Sequence, residues 1–254
     1  DKKPTSVEES QLKNVLLKSF KLLLWRRRRF LADPVIETTF GWTSSGSENS
    51  LNHLIDSDLL DGALVDFMER APGPEFLKEK DKEAGIERIR YVKDIDEDYS
   101  WPSSRPPYKH QLEAWNILSN NKPKSVVVTS GTGSGKTECF LVPLLNDLAK
   151  QHSYSGEALT GLQAIMLYPL NALINSQRER LSAWLRGFEG NIRYALYNGD
   201  TPENASAPKK SLDANVSPEQ TLYRKDIRTS PPSILLTNST MLEYMLVRPE
   251  DKPI

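Results

Sequence analysis

The feature that most constrains the fold is a glycine-rich stretch that begins at Ser130 and ends at Thr137. It reads Ser-Gly-Thr-Gly-Ser-Gly-Lys-Thr, follows an apolar run at residues 126–128, and precedes a helical pattern. A strand, a glycine-rich turn and a helix in this order form a phosphate-binding loop, because glycines let backbone N–H groups point inward and the helix N-terminus adds partial positive charge. The sequence therefore predicts an α/β fold with a nucleotide-binding loop.

Two side chains at the end of this loop carry the chemistry of nucleotide binding. We expect Lys136 to reach the β- and γ-phosphates and the Thr137 hydroxyl to ligate Mg²⁺, so both are assigned as catalytic, with ATP and Mg²⁺ as cofactors. The usual pattern starts with glycine, and Ser130 is a small departure from it. The alternative is a glycine-rich turn that binds nothing. The predicted nucleotide contacts in the loop are Gly131, Thr132, Gly133, Ser134, Gly135, Lys136 and Thr137.

A glutamine ahead of the loop is a candidate for recognising the base. The carboxamide of Gln111 can donate to N7 of adenine and accept from its N6 amino group, and the nearby Tyr108 can stack on the ring. Guanine carries O6 in place of the amino group, so ATP is favoured over GTP. The alternative is that Gln111 is an ordinary polar residue at the start of the amphipathic helix that contains Trp115.

Alternating elements follow a group of prolines at residues 102–107, and this alternation predicts a parallel sheet. The expected strands are residues 125–129, 162–168, 192–197 and 234–237, and the expected helices are residues 109–119, 136–151, 172–184 and 241–247. The polar stretch at residues 200–232 is long for a loop, so it is predicted to carry a short helix around residues 218–227 or to be partly disordered.

The first hundred residues show helical spacing at residues 5–31 and 50–70 and no recognisable catalytic motif. The prolines at residues 102–107 then mark a change of character. We therefore expect two domains, a helical N-terminal extension over residues 1–100 and a nucleotide-binding domain over residues 101–254.

Two segments that end strands and start helices, at residues 167–173 and 236–243, resemble the segments with which superfamily 2 helicases hold a nucleic-acid strand. A helix N-terminus with an asparagine side chain binds an anion without net positive charge, so Asn171 and Asn238 are predicted to contact phosphates. The alternative for the first segment, taken alone, is a simple strand-to-helix cap. The predicted nucleic-acid contacts are Pro169, Asn171, Gln177, Arg178, Thr237 and Asn238.

Taken in order along the chain, these segments resemble the motifs of superfamily 2 helicases of the DEAD/DEAH-box type. The resemblance extends over about residues 105–248 and implies a recA-like domain, an ATP-driven motor on nucleic acid, and Glu138 as a further residue around the nucleotide. The segments that carry the likeness are Gln111, the phosphate loop, Tyr-Pro-Leu-Asn-Ala-Leu at residues 168–173, Asn-Gly-Asp-Thr at residues 198–201, and Leu-Thr-Asn-Ser-Thr-Met-Leu-Glu at residues 236–243.

The sequence of residues 167–178 resembles that of the very large bacterial helicases of anti-phage defence, the Druantia and DISARM kind. This likeness implies a motor that acts on DNA more than on RNA, beside partner proteins of a defence system. An RNA helicase or remodeller is the first alternative. A different ATPase is a second, against which Gln111 and the Tyr-Pro-Leu-Asn segment argue. A non-hydrolysing scaffold that docks partner proteins is a third, against which the presence of both Lys136 and Thr137 argues.

The family's Asp-Glu-x-His box, which positions Mg²⁺ and the attacking water, is absent from the sequence. So are a second recA-like domain and its arginine finger. We therefore expect the recA-like domain to be incomplete in this chain, with the box following residue 254. Enzymes of this kind lose orders of magnitude in rate without the finger, so the chain alone is predicted to bind ATP weakly and to hydrolyse it negligibly.

The composition limits the kinds of partner and the cellular location that we expect for the chain. The formal net charge of −1 provides no overall basic field, so any contact with nucleic acid must be local. The single cysteine, Cys139, excludes an internal disulfide framework and is expected to be a small buried helix residue. No apolar run reaches membrane-spanning length, so we expect no membrane partner and a cytoplasmic setting.

Overall fold

A computed structural model describes residues 42–70, 99–131, 133–204 and 218–254. The predicted helix at residues 5–31 lies outside the described residues. A compact unit runs from Trp42 to Ile254, and the division into two domains near residue 100 stays a prediction. Residues 42–70 belong to the same unit as the phosphate loop.

The elements alternate along the chain in the way the sequence predicts. The α-helices are α1 (Leu51–Asp56), α2 (Gly62–Glu69), α3 (Lys109–Leu118), α4 (Lys136–Ser155), α5 (Asn171–Leu185), α6 (Arg224–Thr229) and α7 (Ser239–Val247). The strands are β1 (Ala164–Leu167), β2 (Tyr194–Tyr197), β3 (Gln220–Thr221) and β4 (Ile234–Thr237), and short 3₁₀ helices cover Ser47–Asn49, Arg186–Phe188 and Pro249–Asp251.

The four strands form one parallel sheet in the order β1-β4-β2-β3. Leu167 of β1 and Tyr197 of β2 both pair with Thr237 of β4, so the carboxyl ends of these three strands are level. Helix α5 lies between β1 and β2, and α6 lies between β3 and β4, as crossover connections of parallel strands do. The prediction of an α/β fold with a recA-like parallel sheet is confirmed.

Helices cover both faces of the sheet. On one face, side chains of β1, β2 and β4 pack with α1 to α5 in a core whose largest fully buried members include Trp115, Leu141 and Tyr194. On the other face, Ala195, Tyr197 and Leu235 pack with residues of α6 and α7. All four residues of β4 are buried, which is typical of a central strand in a sheet covered on both sides.

Helices α1 and α2 are fixed to α4 by a buried asparagine. The Asn146 amide donates to the Leu59 carbonyl oxygen at 2.9 Å, and its Oδ1 accepts from the Asp61 N–H at 2.7 Å. Asp61 in turn caps α2, because its side chain accepts from the Leu64 N–H. The helical spacing at residues 50–70 thus yields two short helices that pack on the helix following the phosphate loop.

The prediction of a strand at residues 125–129 is wrong. Residues 123–130 form no strand, and the Val127 side chain is 88% exposed. An apolar run becomes a strand only when a neighbour satisfies its backbone hydrogen bonds, and none of the described strands lies beside this one. The structure therefore has the loop and the helix of the predicted strand-loop-helix unit, with a segment outside the sheet leading into them.

The polar stretch after β2 contains more structure than one short helix. Within its described part, β3 adds a fourth strand to the sheet and α6 follows at Arg224–Thr229, slightly later than predicted. Residues 205–217 lie outside the described residues. None of the helices in the described ranges combines the length and the apolar character that a membrane crossing needs.

Candidate nucleotide and nucleic-acid site

The phosphate loop depends on two glycines with left-handed backbone geometry. Gly133 has a φ of 77°, and Gly135, with φ 72° and ψ 37°, is the N-cap of α4. Residues that carry a Cβ atom rarely adopt this left-handed backbone conformation. A Cβ on Gly135 would also clash with Nε2 of Gln111, so a larger residue here would displace the Gln111 side chain from the loop.

Lys136 lies across the loop that it follows. Its ammonium donates to the carbonyl oxygens of Ser130 at 2.9 Å and Gly131 at 2.6 Å. The Ser130 and Ser134 hydroxyls are 2.5 Å apart, so the serine at the first motif position closes the loop on itself. The charge that a phosphate needs is therefore already inside the loop, held by carbonyl groups that a phosphate can displace.

The loop fits the phosphates of a nucleotide. It combines the ammonium of Lys136, glycines that leave the backbone open, and the N-terminus of the 20-residue helix α4. Thr137, the predicted Mg²⁺ ligand, is half-buried in the first turn of α4, whereas Thr132 lies outside the described residues. Across the described ranges, no group of three or more His, Cys, Asp or Glu side chains is arranged to hold a metal ion. Ligation of Mg²⁺ by Thr137 stays a prediction.

Gln111 connects α3 to the phosphate loop. Its side chain is 2% exposed, its Oε1 accepts from the Tyr108 N–H at 2.8 Å, and its Nε2 donates to the Gly135 carbonyl oxygen at 3.1 Å. The first of these bonds belongs to a capping box that starts α3. The carboxamide thus has one N–H and one lone pair left for a base, and contact with adenine stays a prediction.

A cluster of three rings supports the phosphate loop from outside, and the sequence motifs did not predict it. The Tyr108 and His110 rings stack at 5.8 Å, and the Trp42 ring meets His110 edge-on at 5.9 Å. His110 Nε2 lies 2.9 Å from the Ser134 carbonyl oxygen, which can only accept, so this nitrogen carries the proton. Trp42 also faces Gly131, where a Cβ would lie 3.3 Å from the indole. Trp42 lies too far from the motif in sequence for spacing to reveal it.

A cleft of about 200 Å³ opens beside the loop. One wall is formed by an ion pair that joins Glu138 Oε1 to Arg180 Nη1 of α5 at 2.9 Å. Glu138, predicted to lie around the nucleotide, is therefore partnered by a residue that the sequence did not single out. The lining also includes aromatic and loop residues, among them Tyr99, Trp101, Tyr108, Gln111 and Gly135.

Cys139 follows Glu138 on α4 and is fully buried. Burial raises the pKa of its thiol from 9.0 to about 11, and the neighbouring Glu138 carboxylate adds to the rise. The thiol therefore keeps its proton at neutral pH and is a poor nucleophile. The prediction of a small buried helix residue is confirmed.

Two helix N-termini meet at the carboxyl edge of β1 and β4. Asn171 begins α5 after β1, and Asn238 caps α7 after β4 by accepting from the Met241 N–H at 2.8 Å. The Asn238 amide donates to Asn171 Oδ1 at 2.9 Å, which joins the two helix starts. The structure thus brings together the two asparagines predicted to contact phosphates.

The other predicted nucleic-acid contacts differ in their access to this edge. Pro169 and Arg178 are exposed, and Gln177 is half-buried. Thr237 is fully buried, and its hydroxyl donates to the Tyr197 carbonyl oxygen at 2.6 Å, which fixes β4 to β2. The structure therefore places Pro169, Asn171, Arg178 and Asn238 where a ligand can reach them, and it uses the Thr237 hydroxyl internally.

A buried ionic network behind this edge was not predicted. The Tyr197 hydroxyl donates to the Asp251 carboxylate, and Arg228 donates to the same carboxylate oxygen at 2.8 Å and to Glu203. The Asp251 side chain is fully buried. Burial and the bond to Asp251 raise the pKa of Tyr197, so the phenol stays protonated and acts as the donor. The network ties the turn after β2 to α6 and to the last 3₁₀ helix.

Comparison with known proteins identifies relatives of the chain. The family model of the DEAD/DEAH box helicase matches residues 108–246, more than half of the 254 residues. The chain is 28% identical over 229 residues to the Druantia protein DruE of Escherichia coli, covering 58% of this chain and 12% of that protein. It is 28% identical over 141 residues to the uncharacterized ATP-dependent helicase MJ1574 of Methanocaldococcus jannaschii, covering 56% of this chain and 17% of that protein.

The uncharacterized ATP-dependent helicase YprA of Bacillus subtilis is 30% identical over 94 residues, which cover 37% of this chain and 11% of that protein. The chain thus spans less than a fifth of the length of these relatives. No solved structure matches it significantly. Gln111, the phosphate loop and the helix starts at Asn171 and Asn238 all lie within the matched residues, and the chain belongs to the DEAD/DEAH box helicase family.

Proposed function

We propose that the full-length protein is an ATP-dependent DNA helicase or translocase of superfamily 2 and that this chain is its N-terminal ATP-binding part. The observation that carries the proposal is the phosphate loop, in which the Lys136 ammonium is held among loop carbonyls at the N-terminus of α4. This arrangement suits a triphosphate, because the lysine can exchange its carbonyl partners for phosphate oxygens without leaving the loop.

In this proposal the chain binds the nucleotide at two points. Lys136 and the loop backbone hold the phosphates, and Thr137 offers its hydroxyl to Mg²⁺, which would neutralise negative charge on the phosphates. Tyr108 and the free valences of Gln111 take the base in the adjoining cleft. Because Gln111 also bonds to Gly135, base binding and loop geometry are mechanically connected.

The nucleic acid lies along the edge where α5 and α7 begin. Asn171 and Asn238 present two helix N-termini side by side, and Arg178 adds an exposed cation. Such groups contact the sugar-phosphate backbone and not the base edges. Binding should therefore depend on salt and be largely independent of sequence, as a motor that moves along a strand requires.

DNA as the track, and a role in anti-phage defence with partner proteins, are supported by the likeness to the Druantia protein. That likeness covers 58% of this chain and 12% of the Druantia protein. We propose that the full-length protein acts in the cytoplasm.

The test is ATP hydrolysis by the full-length protein with single-stranded DNA, duplex DNA or RNA added, with Lys136→Ala as control. We expect DNA to stimulate hydrolysis and the substitution to abolish it. Stimulation by RNA alone would leave the family assignment intact and would indicate that the protein remodels RNA. Absence of stimulation by any nucleic acid would contradict the motor. Equal, undetectable ATP binding by wild type and Lys136→Ala would favour a scaffold.

A further inference from the structure

One contact joins the phosphate loop to the helix that starts at the nucleic-acid edge. Glu138 immediately follows Thr137, and its Oε1 lies 2.9 Å from Nη1 of Arg180 on α5. Both side chains are largely shielded, with 15% and 21% of their surface exposed. The pair is thus far less screened by solvent than an ion pair on the surface.

Arg180 is held in place by aromatic rings. Its guanidinium carbon lies 5.3 Å from the Tyr99 ring centroid and 5.9 Å from that of Trp184. The Trp184 indole N–H donates to the Tyr99 carbonyl oxygen at 2.9 Å, which fixes the two rings relative to each other. A planar guanidinium can stack in this way and an ammonium cannot, so lysine is a poor substitute here.

Glu138 is held just as firmly on its own side. The Trp115 indole N–H donates to the Glu138 carbonyl oxygen at 2.9 Å, and Gln111 donates to the Gly135 carbonyl oxygen at the start of the same turn. Any movement of the loop on nucleotide binding must therefore displace the Glu138 carboxylate relative to Arg180 or carry Arg180 with it.

Helix α5 connects Arg180 to the nucleic-acid edge as a rigid element. Arg180 lies about 14 Å along the helix axis from Asn171, by the rise of an α-helix. The middle of α5 is clamped to the sheet, because the buried Tyr194 hydroxyl bonds to the Ser182 hydroxyl at 2.6 Å and donates to the Arg178 carbonyl oxygen at 3.2 Å. Since these bonds hold α5 on the sheet at Arg178 and Ser182, a displacement at Arg180 reaches Asn171 as a tilt or rotation of the helix about this clamp.

The polar atoms around Arg180 are not saturated. Within the part of the chain that the structure describes, Glu138 Oε2 and the Tyr168 hydroxyl are buried without a hydrogen-bond partner, and Arg180 Nη1 has its ion pair with Glu138 Oε1 in place of a hydrogen bond. Tyr168 directly precedes Pro169, at the end of β1. A buried ion pair with unused acceptors adds little to stability, and such pairs are best understood where they select between arrangements. Glu138 Oε2 and the Tyr168 hydroxyl are thus the unused acceptors that a second arrangement of Arg180 would require.

We propose that Arg180 is a positioning residue that couples the phosphate loop to the nucleic-acid edge, through its ion pair with Glu138 and the rigid helix α5. Nucleotide in the loop shifts Glu138, Arg180 follows, and the Asn171 end of α5 changes its grip on phosphate. Linkage is reciprocal, so nucleic acid must in turn change the affinity for ATP by the same factor. This inference rests on the proposed function.

The test measures that factor in the full-length protein: the Kd of ATP with and without saturating single-stranded DNA. For wild type we expect a ratio of about tenfold, within the usual range of allosteric coupling. For Arg180→Met we expect the ratio to fall to less than about threefold. Arg180→Lys keeps the charge and loses the stacking, so it should give an intermediate ratio. A purely structural role would lower stability and leave the ratio unchanged.

The matched control removes a cation from an ion pair on the outer face of α4. Lys150 lies 3.3 Å from Asp58, and Lys150→Met should leave the ratio at the wild-type value. If wild type shows the ratio and both Arg180 variants retain it, the coupling role is refuted. If wild type shows no effect of DNA on ATP binding, and Lys136→Ala shows the same ATP affinity as wild type, the proposed function itself fails.

Discussion

Two glycines bracket α4 in the same left-handed conformation, with φ 72° at Gly135 and φ 68° at Gly156. Their surroundings differ. A Cβ on Gly135 would clash with Gln111, whereas a Cβ on Gly156 would meet no atom within 4 Å. Alanine substitutions at the two positions therefore distinguish the free-energy cost of placing a side chain on a left-handed backbone from the effect of disturbing the phosphate loop.

We expect Gly135→Ala to weaken ATP binding by at least tenfold, about 1.4 kcal/mol, because the methyl group displaces Gln111 from the loop. Gly156→Ala carries only the backbone penalty of about 1–2 kcal/mol and should leave ATP affinity unchanged. Calorimetric titration with ATP measures the affinity, and thermal denaturation measures the shared loss of stability. Equal ATP affinities in the two variants would show that the contact with Gln111 is not needed for the loop.

At the scale of elements, Asn238 has two separable roles. Its Oδ1 caps α7, and its amide donates to Asn171 at the predicted nucleic-acid edge. Asn238→Asp keeps a strong cap but replaces the donor by a negative charge, and Asn238→Ser keeps a cap without adding charge.

We expect both Asn238 variants to retain stability within about 1 kcal/mol, because Asp and Ser are good N-caps. Asn238→Asp should weaken binding of the full-length protein to single-stranded DNA at least tenfold at low salt, with the difference shrinking as salt rises. Asn238→Ser should bind within a few-fold of wild type. Fluorescence anisotropy over a salt series gives these values. Unchanged binding by Asn238→Asp would remove this edge from the interface.

Local signals explain which elements the sequence could predict. Strand β4 was predicted at its observed bounds, because it is a short apolar run followed by a capping asparagine, and α3 and α4 have equally clear starts. Residues 125–129 carry a similar apolar run and form no strand, because pairing depends on neighbours distant in sequence. The same reason hid Arg180 and Trp42, since their roles come from contacts with residues far along the chain.

Across the whole described unit, a few buried polar contacts tie distant segments together. Asn146 fixes α1 and α2 to α4, and Asp251 fixes the end of the chain to β2 and α6. Breaking a buried ion pair leaves an uncompensated charge and costs more than losing a pair on the surface.

We therefore expect Asp251→Ala to lower the free energy of unfolding by about 3–5 kcal/mol, since Arg228 and Tyr197 lose their common acceptor. The matched control is Asp66→Ala, which removes an exposed i,i+4 pair with Arg70 and should cost less than about 1 kcal/mol. Urea denaturation of the three proteins gives the values. A cost for Asp251→Ala no larger than that of Asp66→Ala would mean that the network contributes no more than a surface contact.

The edge of the sheet at β1 affects how the chain should behave in solution. Among the described strands β1 is at an edge, with Ile165 and Leu167 about half exposed, and the apolar segment at residues 123–130 runs without a partner. Unpaired apolar edges are templates for strand addition from another molecule. A net charge of −1 gives almost no repulsion between copies. A preparation of this chain alone is thus prone to aggregate through this edge, and its monomeric fraction should fall as its concentration rises.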